Sequence, residues 1–161
     1  MPRKKEPPLS FVQKMKALAE SGIAESPRPK PGGEEEEDAL LPLNMRIDKL
    51  MGITEKAKKH SGHMLFFVMY DIESDKVRRL VVRYLQKNGC TRVQKSIFLA
   101  DSPVAVYNKI RDDLAQVQAA YENQDSIIVL PVTTDYLRMM KVIGKGVNID
   151  VITKNNSTLF F

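Results

Sequence analysis

The chain has no tryptophan, one cysteine and two histidines among its 161 residues. A single cysteine, Cys90, rules out an intrachain disulfide and suits a reducing compartment, the cytoplasm. Both histidines, His60 and His63, precede the first strongly apolar segment. The region after them therefore lacks the base that a Ser/His or Cys/His nucleophile system needs. No cysteine or acid stands at metal-ligand spacing around His60 and His63, so they are expected to be linker residues rather than ligands. There is no Gly-x-Gly-x-x-Gly fingerprint and no glycine loop ending in Lys-Ser/Thr, which excludes the common nucleotide cradles. No apolar run approaches the roughly 20 residues of a membrane helix. The charged start, Met1–Pro8, is followed by no apolar core of a secretion signal.

What is present is enough for one domain with an appendage: 43% hydrophobic residues, 28% charged, and a net charge of +5. A mildly basic balance permits an acidic partner such as nucleic acid. The strongest feature is Met64–Asp71, seven apolar or aromatic residues ending on a carboxylate. So short a run, rich in aromatics, reads as a buried strand. Alternation puts Leu65, Phe67, Met69 and Asp71 on one face and Met64, Phe66, Val68 and Tyr70 on the other. Asp71 then reads either as a cap for the next helix or as an acid held rigidly at a strand end, where α/β sheets bind ligands.

Residues 1–63 differ in character from the rest of the chain and are expected to be an extension, largely disordered, with a helix at 44–60. Phe11, Met15 and Leu18 are spaced as on a short amphipathic helix. The Pro/Gly-rich stretch Ser26–Gly33 and the acid run Glu34–Asp38 favour no regular structure. Ile47, Leu50, Met51 and Ile53 share one side of the second helix, as if to dock on a partner. Ser61-Gly-His-Met64 has the look of a cloning junction, with Met64 a sensible start.

Residues 64–161 read as the folded domain. A helix is expected from Ser74 or Asp75, either of which can cap it, to Asn88, with Gly89 in the left-handed position beyond its end. Val77, Leu80, Val81, Tyr84 and Leu85 form its apolar face. Lys76, Arg79, Arg83 and Lys87 form a basic stripe roughly opposite, with Arg78 beside it. Such a stripe is either a solvated face or a phosphate contact. Cys90–Ala100 is strand-like, as one bent strand or two halves broken near Gln94–Ser96. Ser102 and Pro103 are expected to cap and begin a second helix carrying Val106, Ile110, Leu114, Val117 and Tyr121. Strands are expected at Ser126–Leu130, Met139–Ile143 and Val147–Ile152, with a helical turn at Thr133–Leu137. The apolar end, Thr158–Phe161, suits pairing with another subunit's sheet edge. The order predicts an α+β fold: a ferredoxin-like βαββαβ sandwich with an extra C-terminal strand, as a homodimer.

Among the acids, Asp71 stands out, with Glu73 and Asp75 behind it and arginines nearby. Carboxylates suit magnesium or manganese, and arginines suit phosphate. Two copies of Asp71 facing each other across a dimer axis would supply what one cannot. Cys90 reads as a buried, inert thiol.

Val68-Met-Tyr-Asp-Ile72, Asp75-Lys-Val-Arg-Arg79, Asn88-Gly89 and Arg92-Val-Gln-Lys-Ser-Ile-Phe98 together resemble the small CRISPR-associated subunit of the spacer-acquisition complex. Ser126–Pro131 and Leu137–Gly144 fit that family's later strands. The resemblance implies a ferredoxin-like homodimer that bridges integrase subunits and carries prespacer duplex DNA. For many members it also implies a magnesium-dependent endonuclease acting on RNA or DNA. Asp71 is then the metal ligand, and Asp71 and Tyr70 before it are the catalytic residues. Arg78, Arg79, Arg92 and Phe98 match positions linked to nucleic-acid contact or activity, and Arg83 joins them through the basic stripe. The long extension and Glu73 depart from the family pattern. Two alternatives of other classes remain open: a toxin-type ribonuclease resembling virulence-associated protein D, and a nucleic-acid-binding module with no catalysis.

Overall fold

The computed structural model describes residues 9–20, 40–57, 59–120, 124–144 and 147–150. Met64–Asp71 lies within the central strand, β1 (His63–Asp71). Seven consecutive β1 residues pair with β3 (Ile97–Pro103), from His63 opposite Pro103 to Met69 opposite Ile97. On its other side β1 pairs with β4 (Ser126–Pro131), with Asp71 opposite Ser126. With β2 (Thr91–Gln94) the sheet runs β2-β3-β1-β4, every neighbour antiparallel. This is the ferredoxin-like order, and the fold class expected from the sequence.

The two crossover helices cover one face. α3 (Asp75–Lys87) begins at Ser74, whose hydroxyl accepts from the Val77 amide at 3.5 Å, so the cap is Ser74 and not Asp71. It ends where Gly89 takes φ +84° and the Cys90 amide returns to the Leu85 carbonyl, the left-handed stop expected there. α4 (Val104–Ala119) buries Ile110, Leu114 and Val117. These join Val77, Val81 and Leu85 over Phe66, Val68 and Phe98 in one core.

The start of α4 departs from the expectation. Ser102 and Pro103 are the last residues of β3, paired with Met64 and His63, and the helix begins at Val104 with no side-chain cap. The local Ser-Pro signal lost to strand pairing, which buries Ser102. The Cys90–Ala100 question resolves into two strands joined at Lys95-Ser96, with Gln94 opposite Ile97. No glycine makes this turn. It is held from outside: the Tyr70 amide donates to the Ser96 carbonyl at 3.0 Å and the Tyr70 hydroxyl to the Lys95 carbonyl at 3.1 Å.

The extension contributes two packed helices. α1 (Phe11–Glu20) buries Met15 completely and stacks Phe11 on Tyr84 at 4.0 Å between ring centroids. α2 (Leu43–Ala57) lies on the opposite face of the sheet, where Leu50 joins Leu65, Val93, Leu99 and Leu137 in a second core. The Arg46 guanidinium donates to the Val93 carbonyl at 2.8 Å and fastens α2 to β2. Residues 1–8 and 21–39, where disorder is also expected, lie outside the described residues. Ser61–Met64 is built into the domain: the Gly62 carbonyl accepts from the Val104 amide at 3.3 Å, and β1 starts at His63. Beyond β4 come α5 (Thr134–Met139) and a separate hairpin of β5 (Lys141–Gly144) and β6 (Val147–Asp150). The apolar end expected to pair with a neighbour, Thr158–Phe161, lies outside the described residues.

Candidate nucleic-acid interface

Strand alternation sends Tyr70 and Asp71 to opposite faces, and their surroundings differ accordingly. Tyr70 is 6% exposed, its hydroxyl bonded to the Lys95 carbonyl. Asp71 is exposed at the tip of the strand. Behind it the chain is pinned: the Glu73 amide donates to the Asp125 carboxylate at 3.0 Å, and Gln118 holds the Asp125 carbonyl. A carboxylate on so fixed a backbone is rigidly placed at low desolvation cost.

The sequence expectation groups Glu73 and Asp75 with Asp71. No three-residue donor cluster forms there among the described residues. Asp75 instead pairs with Arg78, one turn along α3. Arg78 also reaches the Ile72 carbonyl at 3.4 Å, so its guanidinium lies against the segment just after Asp71. Arg79 is half-buried and Arg83 exposed on the same helix. The helix that begins just beyond the acid therefore carries three arginines, of which Arg78 lies against the end of β1.

Arg92 and Phe98 belong to a different cluster. Arg92 donates twice to the Lys95 carbonyl, from Nε at 3.1 Å and from a terminal nitrogen at 2.6 Å. Its guanidinium carbon sits 5.9 Å from the centre of the Phe98 ring. Phe98 is wholly buried and approaches Tyr70 at 6.2 Å. The Lys95 carbonyl thus gathers Tyr70 and Arg92 above Phe98. Any contact of Phe98 with a nucleic acid passes through the Arg92 it supports. Arg92 also borders a shallow cavity of about 300 Å³ whose lining includes Lys49 of α2.

One constellation escaped the sequence reading. His60 and His63, expected to be linker residues without an acidic partner, meet Asp101 of β3. The acid lies 41 residues beyond His60 in the chain, so spacing alone carried no signal. The strand register could have found it: once β1 pairs with β3, Asp101 falls opposite Leu65, beside His63.

An antiparallel ferredoxin-like sheet with an exposed acid at its central strand tip, succeeded by a basic helix, defines a small α+β domain. Residues 64–140 match the family model of CRISPR associated protein Cas2. The match runs from β1 through α5; α1 and α2 precede it. No curated protein matches the chain. No helix among the described residues is long and apolar enough to cross a membrane.

Proposed function

We propose that the chain is a CRISPR adaptation protein, a dimeric scaffold that binds prespacer duplex DNA and bridges integrase subunits. The observation that carries this reading is the family match across the whole βαββαβ unit. Arg78, Arg79 and Arg83 on α3 are the groups suited to phosphate contact, with Arg92 on its Phe98 support as a further one. Their charge-assisted hydrogen bonds would fix the register of a duplex without reading its sequence.

Magnesium-dependent endonuclease activity, on RNA or DNA, is the second part of the proposal. Asp71 offers hard oxygen ligands in an exposed place, which suits magnesium or manganese. One chain supplies one such carboxylate, so the donor set is completed by Asp71 of a second copy across a two-fold axis. When bound there, the ion would polarise a phosphodiester and activate water. Asp71 would hold it, and the buried Tyr70 would position Asp71 by anchoring the strand end to the β2–β3 turn.

Two measurements test the reading. Co-purification from the native host should bring down the integrase subunit; its absence in a host that expresses both counts against the scaffold. Duplex binding should weaken steeply as salt rises, and charge removal at Arg79 and Arg83 should flatten that slope by about one unit for each phosphate no longer held. Cleavage that needs magnesium and persists unchanged in Asp71→Asn would remove the nuclease assignment and leave the scaffold standing.

A further inference from the structure

We propose that His60, His63 and Asp101 form a binding site for a divalent transition-metal ion, with zinc the best chemical fit. The carboxylate comes from β3 and its side chain is only 8% exposed. His60 Nδ1 lies 2.6 Å from one of its oxygens, and His63 Nδ1 lies 3.3 Å from the other. The second contact lacks hydrogen-bond geometry, so His63 Nδ1 is a buried nitrogen with no hydrogen-bond partner. The two rings are 4.5 Å apart and tilted by 46°. One donor atom from each residue lies within 4.8 Å of the others.

Two imidazoles and one carboxylate form a mixed nitrogen–oxygen set, which suits zinc and its neighbours rather than magnesium. Three protein ligands leave a fourth tetrahedral position for water. Bonds of about 2.0–2.2 Å place donors roughly 3.3 Å apart, so His63 and Asp101 already stand at that spacing while His60 must draw back from Asp101 to admit the ion. His60 can move to do so: it is 43% exposed and stands in the turn between α2 and β1. A bound cation would also give the unpartnered His63 nitrogen the lone-pair acceptor that the present arrangement denies it, and burying such an atom without a partner is costly.

The site is separate from the acid at the far end of the strand. His63 and Asp71 begin and end β1, which at a rise of about 3.3 Å per residue puts them roughly 26 Å apart. Its consequence is structural. His60 closes the extension and Asp101 belongs to the sheet, so an ion held between them cross-links α2 to the domain.

The test uses the full chain carrying Asp71→Asn, so that the other carboxylate cannot contribute. Titration with Co2+ should give one ion per chain and the visible absorption of a tetrahedral complex. Zn2+ should displace it, and excess Mg2+ should not. His60→Ala, His63→Ala and Asp101→Asn should each weaken Zn2+ binding by at least about tenfold, the loss seen even when an outer partner of a ligand is removed. Zn2+ should raise the unfolding midpoint of the parent chain and leave that of His60→Ala unchanged. His60 is exposed, so this variant keeps the comparison valid if the two less exposed positions do not tolerate substitution. Absence of Co2+ absorption and Zn2+ binding in the parent, displacement by Mg2+, or undiminished binding in His60→Ala would each overturn the proposal.

Discussion

Cys90 shows how burial sets chemistry at a single residue. It is 5% exposed, just past the left-handed Gly89 that ends α3. Burial pushes its thiol up from 9.0 to about 12. The thiolate is the reactive form, so thiol reagents should label the native protein very slowly at pH 8 and rapidly once denaturant is added. The effect on stability has a definite sign. Between pH 9 and 12 the unfolded thiol has lost its proton while the folded one keeps it, so folding weakens as pH rises. The slope from this group is at most about 1.4 kcal/mol per pH unit and vanishes below the unfolded value. Tyr84, raised by burial and by its hydrogen bond to Asp113, adds to the loss once pH passes its ordinary value of 10.0. Denaturant midpoints measured across that range check the sign. The inert thiol was legible in the sequence, as a lone cysteine after a glycine at a strand start. The partners of His60 and His63 were not, because Asp101 reaches them only through sheet register.

Whole elements were readable where their apolar spacing was strong. α3 and α4 announced themselves by periodicity, and so did α1 through Phe11, Met15 and Leu18. What the spacing could not tell was where an element stops when tertiary contacts decide it. Ser102-Pro103 has the chemistry of a helix start and serves as strand because His63 and Met64 pair with it. Lys95-Ser96 lacks turn residues and turns because Tyr70 supplies the missing hydrogen bonds. α2 was visible as a helix, but its docking surface was not, since Leu65, Val93 and Leu99 become one patch only in the folded sheet. Leu50 is 4% exposed at the centre of that contact. Leu50→Ala should cost about 2–5 kcal/mol if α2 folds cooperatively with the domain. Chemical denaturation checks this; a change near zero would mean that α2 unfolds independently of the sheet.

At the scale of the molecule, the two sheet faces are covered unequally. α3 and α4 close one face, while α2 packs over β2 and β3 on the other. On the β4 side of that second face, Ile128 is 55% and Leu130 44% exposed. These residues pair with Met69 and Phe67 and so share the face of Asp71. Tyr136 and Met139 of α5 and Ile143 of β5 add further exposed apolar surface. In the dimer proposed above, this apolar strand beside the acid is the surface that a second copy would cover, bringing two Asp71 residues together. Replacing Ile128 and Leu130 together by aspartate should convert a dimer to a monomer in sedimentation, with far-ultraviolet circular dichroism unchanged. A chain that sediments as a monomer before any substitution would remove the paired-acid arrangement.

The junction of β3 and α4 leaves no slack. Pro103 closes the strand and Val104 opens the helix, with nothing between them to absorb an error of length. An α-helix advances by roughly 100° per residue, so a single glycine inserted there would swing Ile110, Leu114 and Val117 away from the sheet by more than a quarter-turn. The same insertion between β4 and α5, where Val132 and Thr133 intervene, should be tolerated far better. The indel tolerance of this domain is therefore set by how directly each strand hands the chain to its helix.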